Sequence, residues 1–249
     1  SEEWPIAVDP ESICDTPEKA SERAENILDI VIGEHMKNKK FLDYGCGEGH
    51  TIQKAQEREA LITIGYDVDI SKINFEKNNF TNDFSVVKTM APFDIILLHD
   101  VLDHAVIIDP IQILNQVKSV LSPKGKIYIR NHPWTSRHGG HLYTKKNKAF
   151  LHLSLDSVEL MRIGGLECDV NIKVKNPLET YRYWFKEAGL KIINEYIIRE
   201  KVEDFFTKPS LVNERIKKNF DNEISMINQL EISFVEYILE PKLDEHNLV

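Results

Sequence analysis

Two acids and a set of alternating glycines are the first residues in this chain of 249 whose types and spacing suit chemistry. The run Asp43-x-Gly45-x-Gly47-x-Gly49 closes the apolar stretch Phe41-Leu42. Glycines there let the backbone turn through positive φ and let a ligand lie directly against it. The acid ahead of them narrows the ligand. A carboxylate repels a pyrophosphate, whose usual cradle is G-x-G-x-x-G, and pairs with an ammonium group. Asp67 follows the apolar run Leu61 to Tyr66 and stands twenty residues beyond Gly47. An acid at about that offset accepts hydrogen bonds from ribose hydroxyls. The plain alternative is a tight turn with an unrelated acid.

Two further groups lie later in the chain. In His99-Asp100-Val101-Leu102-Asp103-His104, a helical turn would set Asp100 facing Asp103 and His104 at i+3 and i+4. Two carboxylates and an imidazole on one face suit a divalent cation; otherwise His104 simply packs. The stretch Asn131 to Tyr143 holds His132, His138 and His141 with Arg137 and Trp134. Each histidine is a candidate general base, metal ligand or substrate contact, unless it serves only local backbone groups. Arg137, Lys145, Lys146 and Lys148 form a basic segment in a chain of net charge −9, which suggests an anionic group on the substrate. His152, inside Phe150 to Leu153, reads as packed.

Alternating elements must position these residues. Strands are expected at 40–44, 61–66, 84–88, 93–99, 126–130, 190–198 and 232–239, the central ones near-continuous apolar runs. A leading helix is expected over 17–37 from Thr16-Pro17-Glu18. Others follow strand one to Arg58, run from Asp69 to Asn78, from Asp109-Pro110 to Leu121, over 156–163, and from 177 to a stop at Gly189. Such alternation argues a doubly wound, mostly parallel seven-stranded sheet in one domain over 1–249, with the last strand antiparallel. Residues 131–176 read as an insertion at the acceptor site, and 201–230 as a helical insertion before the last strand. Ligands in such sheets bind beyond the carboxyl ends of the strands.

An acid followed by G-x-G-x-G, with a second acid ending strand two, resembles the class I S-adenosylmethionine-dependent methyltransferases. The resemblance implies the Rossmann-like fold of that family. It also implies a loop of Asp43, Gly45, Cys46, Gly47 and Gly49 around the methionine part of S-adenosyl-L-methionine, with Asp67 on the ribose. Val68, Thr89 and His99 complete the implied cofactor set. The family often reads adenine with an acid after strand three; on this placement Lys88-Thr89-Met90 stand there and Asp83 precedes the strand, so either Thr89 serves or the strand is shifted. Asp100-x-x-Asp103-His104 is similar to the Glu-x-x-Glu-His of quinone-biosynthesis O-methyltransferases and of plant small-RNA 2′-O-methyltransferases, with Asp for both Glu. The Asn-Pro-Pro-Tyr and Asp-Pro-Pro-Tyr motifs of base-directed amino-methyltransferases do not occur.

The expected function is methyl transfer to an oxygen or nitrogen of a small, anionic acceptor, with His104, His132, His138, His141 and Asp100 as catalytic candidates. Two alternatives stand beside it: a metal-assisted 2′-O-methyltransferase of RNA or nucleotides, and a non-catalytic cofactor-binding subunit. A nicotinamide oxidoreductase fails on the glycine spacing and on Asp43. The acidic balance argues against gripping long duplex nucleic acid. The three cysteines, Cys14, Cys46 and Cys168, have neither disulfide nor metal spacing, and neither a membrane span nor a secretory leader is read. A cytoplasmic setting is the expectation.

Overall fold

The computed structural model describes residues 4–105, 108–164, 173–202, 206 and 211–242; Cys168 and parts of both insertions lie outside them. Its strands are β1 (Lys40–Tyr44), β2 (Ile62–Tyr66), β3 (Phe80–Thr81), β4 (Phe93–His99), β5 (Leu121–Asn131), β6 (Leu190–Arg199) and β7 (Ile232–Pro241). They form one sheet in the order 3-2-1-4-5-7-6, in which β7 alone runs antiparallel. Helices α1 (Pro17–Asn26), α2 (His50–Glu57), α3 (Phe84–Met90), α4 (Pro110–Ser119), α5 (Ser157–Gly164), α6 (Pro177–Glu187), α7 (Leu211–Lys217) and α8 (Glu223–Leu230) complete the described elements.

The central strands are apolar on both faces because both are covered. Leu42, Ile96, Leu98, Ile127 and Ile129 pack on one side with α4 and α6. Phe41, Ile95, Leu97 and Tyr128 pack on the other with α2 and the turn that extends α1. That extension, Ile27–Ile32, is wound wider than an α-helix and stops at Gly33 with φ 63°, four residues short of the expected end at 37.

Two expected elements are corrected. Residues 84–88 are helical, not a strand: the Asp83 carboxylate accepts from Ser85 N and caps α3, which ends just before Ala91-Pro92. Strand three is the two-residue β3 ahead of it. The helix expected over 69–78 is a chain of turns ending in a single turn at Lys77–Asn79. Asp67 accepts from Asp69 N and Asp69 from Ser71 N, two successive side-chain turns in place of helical backbone bonds.

A third, smaller core seats the histidine stretch over the carboxyl ends of β4 and β5. Trp134, Ala149, Phe150 and Leu153 pack there against Phe206, Ile216, Met226 and Leu230. The N-terminal segment is stitched to its outer edge. Asn147 accepts from the amides of Ala7 and Val8 and donates to Val8 O. Trp4 Nε1 donates to Ala149 O, and Ala149 N to Pro5 O. Asn147→Ala is therefore expected to raise hydrogen-exchange rates at Ala7 and Val8 at least tenfold, with the amides of β4 and β5 unchanged.

Candidate active site

β1 delivers the chain into the glycine turn. Gly45, Gly47 and Gly49 have φ of 84°, 52° and 87°. A Cβ on Gly45 would lie 2.5 Å from Val101 Cγ2, whereas one on Gly47 would meet nothing within 4 Å. A side chain at Gly45 would thus clash, whereas the space beside Gly47 is open. The amides of Gly45 and Cys46 both donate to Tyr66 O, at 2.7 and 3.2 Å, tying the turn to the end of β2. Gly47 N donates to Asp67 Oδ2 at 2.9 Å, so the two sequence signals meet directly.

Asp43 lies beneath this turn and is 3% exposed. Burial first, then the Asp67 charge, push its pKa up to about 7; Arg23 and the Thr51 hydroxyl pull the other way. At about 1.4 kcal/mol per pH unit, keeping it ionised among these neighbours costs on the order of 4 kcal/mol. A cation beside it would recover that cost. Two small cavities flank the turn and share Gly45. One of about 210 Å³ is lined by Tyr44, Asp67, Val68, Asp100 and His104; the other, about 110 Å³, by Arg23, Asp43, Cys46, Gly47 and His99.

At the end of β4, Asp100 takes φ 53°, a left-handed conformation that costs a non-glycine residue on the order of 1 kcal/mol. Its amide donates to Arg130 O, and its carboxylate accepts from His132 N at 2.8 Å. His132 Nδ1 lies 2.9 and 3.0 Å from the two carboxylate oxygens. Burial raises the Asp100 pKa, but the electrostatic pull of His132 and His99 and the ring and backbone hydrogen bonds of His132 together hold it well below the usual range. An ionised carboxylate fixes the proton of His132 on Nδ1 and leaves Nε2 with a free lone pair.

Around this pair stand His99, His138 and His141, with His138 4.9 Å from His132 and His141 4.7 Å from His104, ring centre to ring centre. They line a cavity of about 870 Å³ together with Arg130, Tyr143, Phe234 and residues of the N-terminal segment. It shares Asp100 with the first of the two small cavities and His99 and Arg23 with the second.

Several expected roles are not supported by these positions. Asp103 is turned into the core, where Tyr181 Oη donates to it at 2.6 Å; burial, then Asp100, raise its pKa to about 8. Bonded to Tyr181, Asp103 is turned away from Asp100 and His104, and no group of three or more His, Cys, Asp or Glu among the described residues is arranged to hold a metal ion. Asp100 and His104 by themselves do not make a metal centre. Thr89 lies exposed on α3, donating to Val86 O, at the helix end away from the strands' carboxyl edge. Arg137 Nε donates to Ile6 O and Lys148 Nζ to Trp4 O, and neither they nor Lys145 and Lys146 line the cavity. His152 packs as expected, 2.6 Å from Trp134 O.

Arg23, Arg130 and Phe234 escaped the sequence reading. An arginine on an amphipathic helix looks like any solvent-facing charge, and Phe234 like any core residue of a strand. Arg130 carried a usable signal, being a charge that ends the apolar run Ile127-Tyr128-Ile129. Its guanidinium lies over the Phe234 ring at 3.8 Å and bonds Glu236 at 3.1 Å.

The buried titratable groups set opposite pH limits on stability. Burial lowers His99, His141 and His152 to about 4 and His138 to about 3, so unfolding takes up protons below about 6.5 and acid destabilises the fold. Asp43 and Asp103, raised to about 7 and 8, release protons on unfolding, so stability falls as pH climbs towards 8. Calorimetric melting of the ligand-free protein should give its highest Tm near pH 6.5, and Asp43→Asn, which removes a proton released on unfolding between about pH 4 and 7, should steepen the acid side and move that maximum to higher pH.

Residues 17–195 match the family model described as a methyltransferase domain. No curated protein sequence matches. Among solved structures, a SAM dependent methyltransferase from Archaeoglobus fulgidus aligns over 90% of this chain and 94% of its own, with TM-score 0.53 and 18% identity. The plantazolicin methyltransferase BamL, solved with a desmethylPZN analog and SAH, aligns over 91% and 87%, with TM-score 0.53 and 17% identity. Coclaurine N-methyltransferase, bound to N-methylheliamine and SAH, aligns over 96% and 78%, with TM-score 0.53 and 14% identity. These likenesses carry the fold, and the family model carries the family: the chain belongs to the methyltransferase-domain family, a class I S-adenosylmethionine-dependent methyltransferase.

Proposed function

We propose that this enzyme moves a methyl group from S-adenosylmethionine on the Gly45–Gly49 turn to an oxygen or nitrogen of a small acceptor in the histidine cavity. One observation carries the reading: the donor cavities and the acceptor cavity meet at His99 and Asp100. The donor supplies an already activated methyl carbon, so the chain's own task is alignment and exclusion of water.

Asp43 and Arg23 line one small cavity and suit the ammonium and carboxylate of an amino acid. Asp67, fixed by Gly47 N, suits the ribose hydroxyls. With β3 ending at Thr81, Asp83 takes the place after strand three where the resembling enzymes carry an acid for adenine. His132, its tautomer set by Asp100, is the general base if the acceptor holds a proton. The metal-assisted RNA alternative loses its two supports, since Asp103 faces Tyr181 and the basic segment does not line the cavity.

Asp67→Ala should weaken S-adenosylhomocysteine binding about a hundredfold in titration calorimetry, the loss of two hydrogen bonds to a charged acceptor. His132→Gln should leave that affinity within twofold and lower kcat by about a hundredfold or more. Unchanged turnover in His132→Gln would deny His132 the role of base.

A further inference from the structure

The acceptor cavity differs from a site built for a charged ligand. Its carboxylates are already engaged: Asp100 with His132, Asp15 with Lys19, and Glu200 with the Ser233 hydroxyl at 2.8 Å. Its inner cation, Arg130, is bonded to Glu236 and stacked on Phe234. Arg23 at the rim is shared with the donor cavity. Arg130 is thus charge-paired with Glu236, with its Nε–H still without a hydrogen-bond partner, and Asp100 is held by His132, so each of these two buried charges already has its counter-charge and what is left over is a hydrogen-bond donor.

Uncommitted hydrogen-bonding groups remain in number. Burial keeps His99, His138 and His141 neutral at pH 7. A neutral imidazole presents one donor and one acceptor, the same pairing that a hydroxyl group offers. Among the described residues, the rings of His138 and His141 touch other rings but make no hydrogen bond, and the Tyr143 and Thr144 side chains add hydroxyls to the same wall. A cavity of about 870 Å³ so lined matches a ligand with many hydroxyls and no charge.

We propose that the acceptor is a hydroxyl of an uncharged, hydroxyl-rich molecule of the carbohydrate class, held by hydrogen bonds from His138, His141 and Tyr143. The proposal rests on the donor reading above. The acceptor hydroxyl gives its proton to His132 Nε2 as its oxygen forms the new bond to the methyl carbon. The electron pair of the breaking carbon–sulfur bond stays on sulfur, whose positive charge is thereby cancelled, and His132 returns the proton to solvent.

The test offers methyl-tritiated S-adenosylmethionine and the whole protein four pools: methyl hexopyranosides with uncharged oligosaccharides, hexuronates, polyamines with lysine peptides, and short RNA. Label is expected in the uncharged sugars, stable to mild alkali as an ether is, with His138→Phe raising KM for them at least tenfold and leaving S-adenosylhomocysteine affinity within twofold. Alkali-labile label in hexuronates, label in amines or RNA, or none in the uncharged pool overturns the proposal when calorimetry shows the donor bound. A protein that does not bind the donor overturns the donor reading itself, and the proposal with it.

Discussion

A carboxylate held out of water at the end of a central strand is the constraint around which this molecule is arranged. Asp43 sits beneath the glycine turn with its charge opposed by burial and by Asp67. Left to stability alone, a neutral residue would serve the position better. The carboxylate is tolerated because the parallel sheet is covered on both faces and carries the surplus. The same covered sheet brings the ends of β1, β2, β4 and β5 to one edge, and the site is spread along it.

A second junction transmits that arrangement to the acceptor side. Asp100 leaves β4 in a left-handed conformation and is gripped by the backbone and ring of His132 at the end of β5. Neighbouring strand ends are thereby clamped where the two kinds of cavity meet. The insertion that carries the other histidines is in turn seated on its own small core and stitched by Asn147 to the N-terminal segment. Glycine turn, dyad and cavity wall are one mechanical chain.

Much of this was legible in the chain. Phe93 to His99 reads as a buried parallel strand and is one, and the acid-glycine turn and Asp67, singled out separately, meet through Gly47 N. The errors share a cause, which is that local pattern does not show where side chains turn. Phe84-Ser85-Val86-Val87 has strand composition, yet one cap from Asp83 makes it helix. Asp103 has metal spacing from Asp100, yet Tyr181, far along the chain, draws it inward. Arg137 looks like a substrate contact until Ile6 O takes its Nε–H. Each correction depends on a partner 78 or more residues away, or on a single capping bond, and neither leaves a periodic trace.

The claim that Asp43 is the donor's ammonium partner has a direct physical signature, because a group that titrates near 7 must lose its proton to pair with a cation. The measurement is calorimetric titration of S-adenosylhomocysteine into the protein at pH 6.5, in two buffers with different heats of ionisation. Binding should release more than half a proton, read from the difference in apparent enthalpy and absent in Asp43→Asn, which also binds at least tenfold more weakly. Binding without proton release, at equal affinity in wild type and Asp43→Asn, would contradict it.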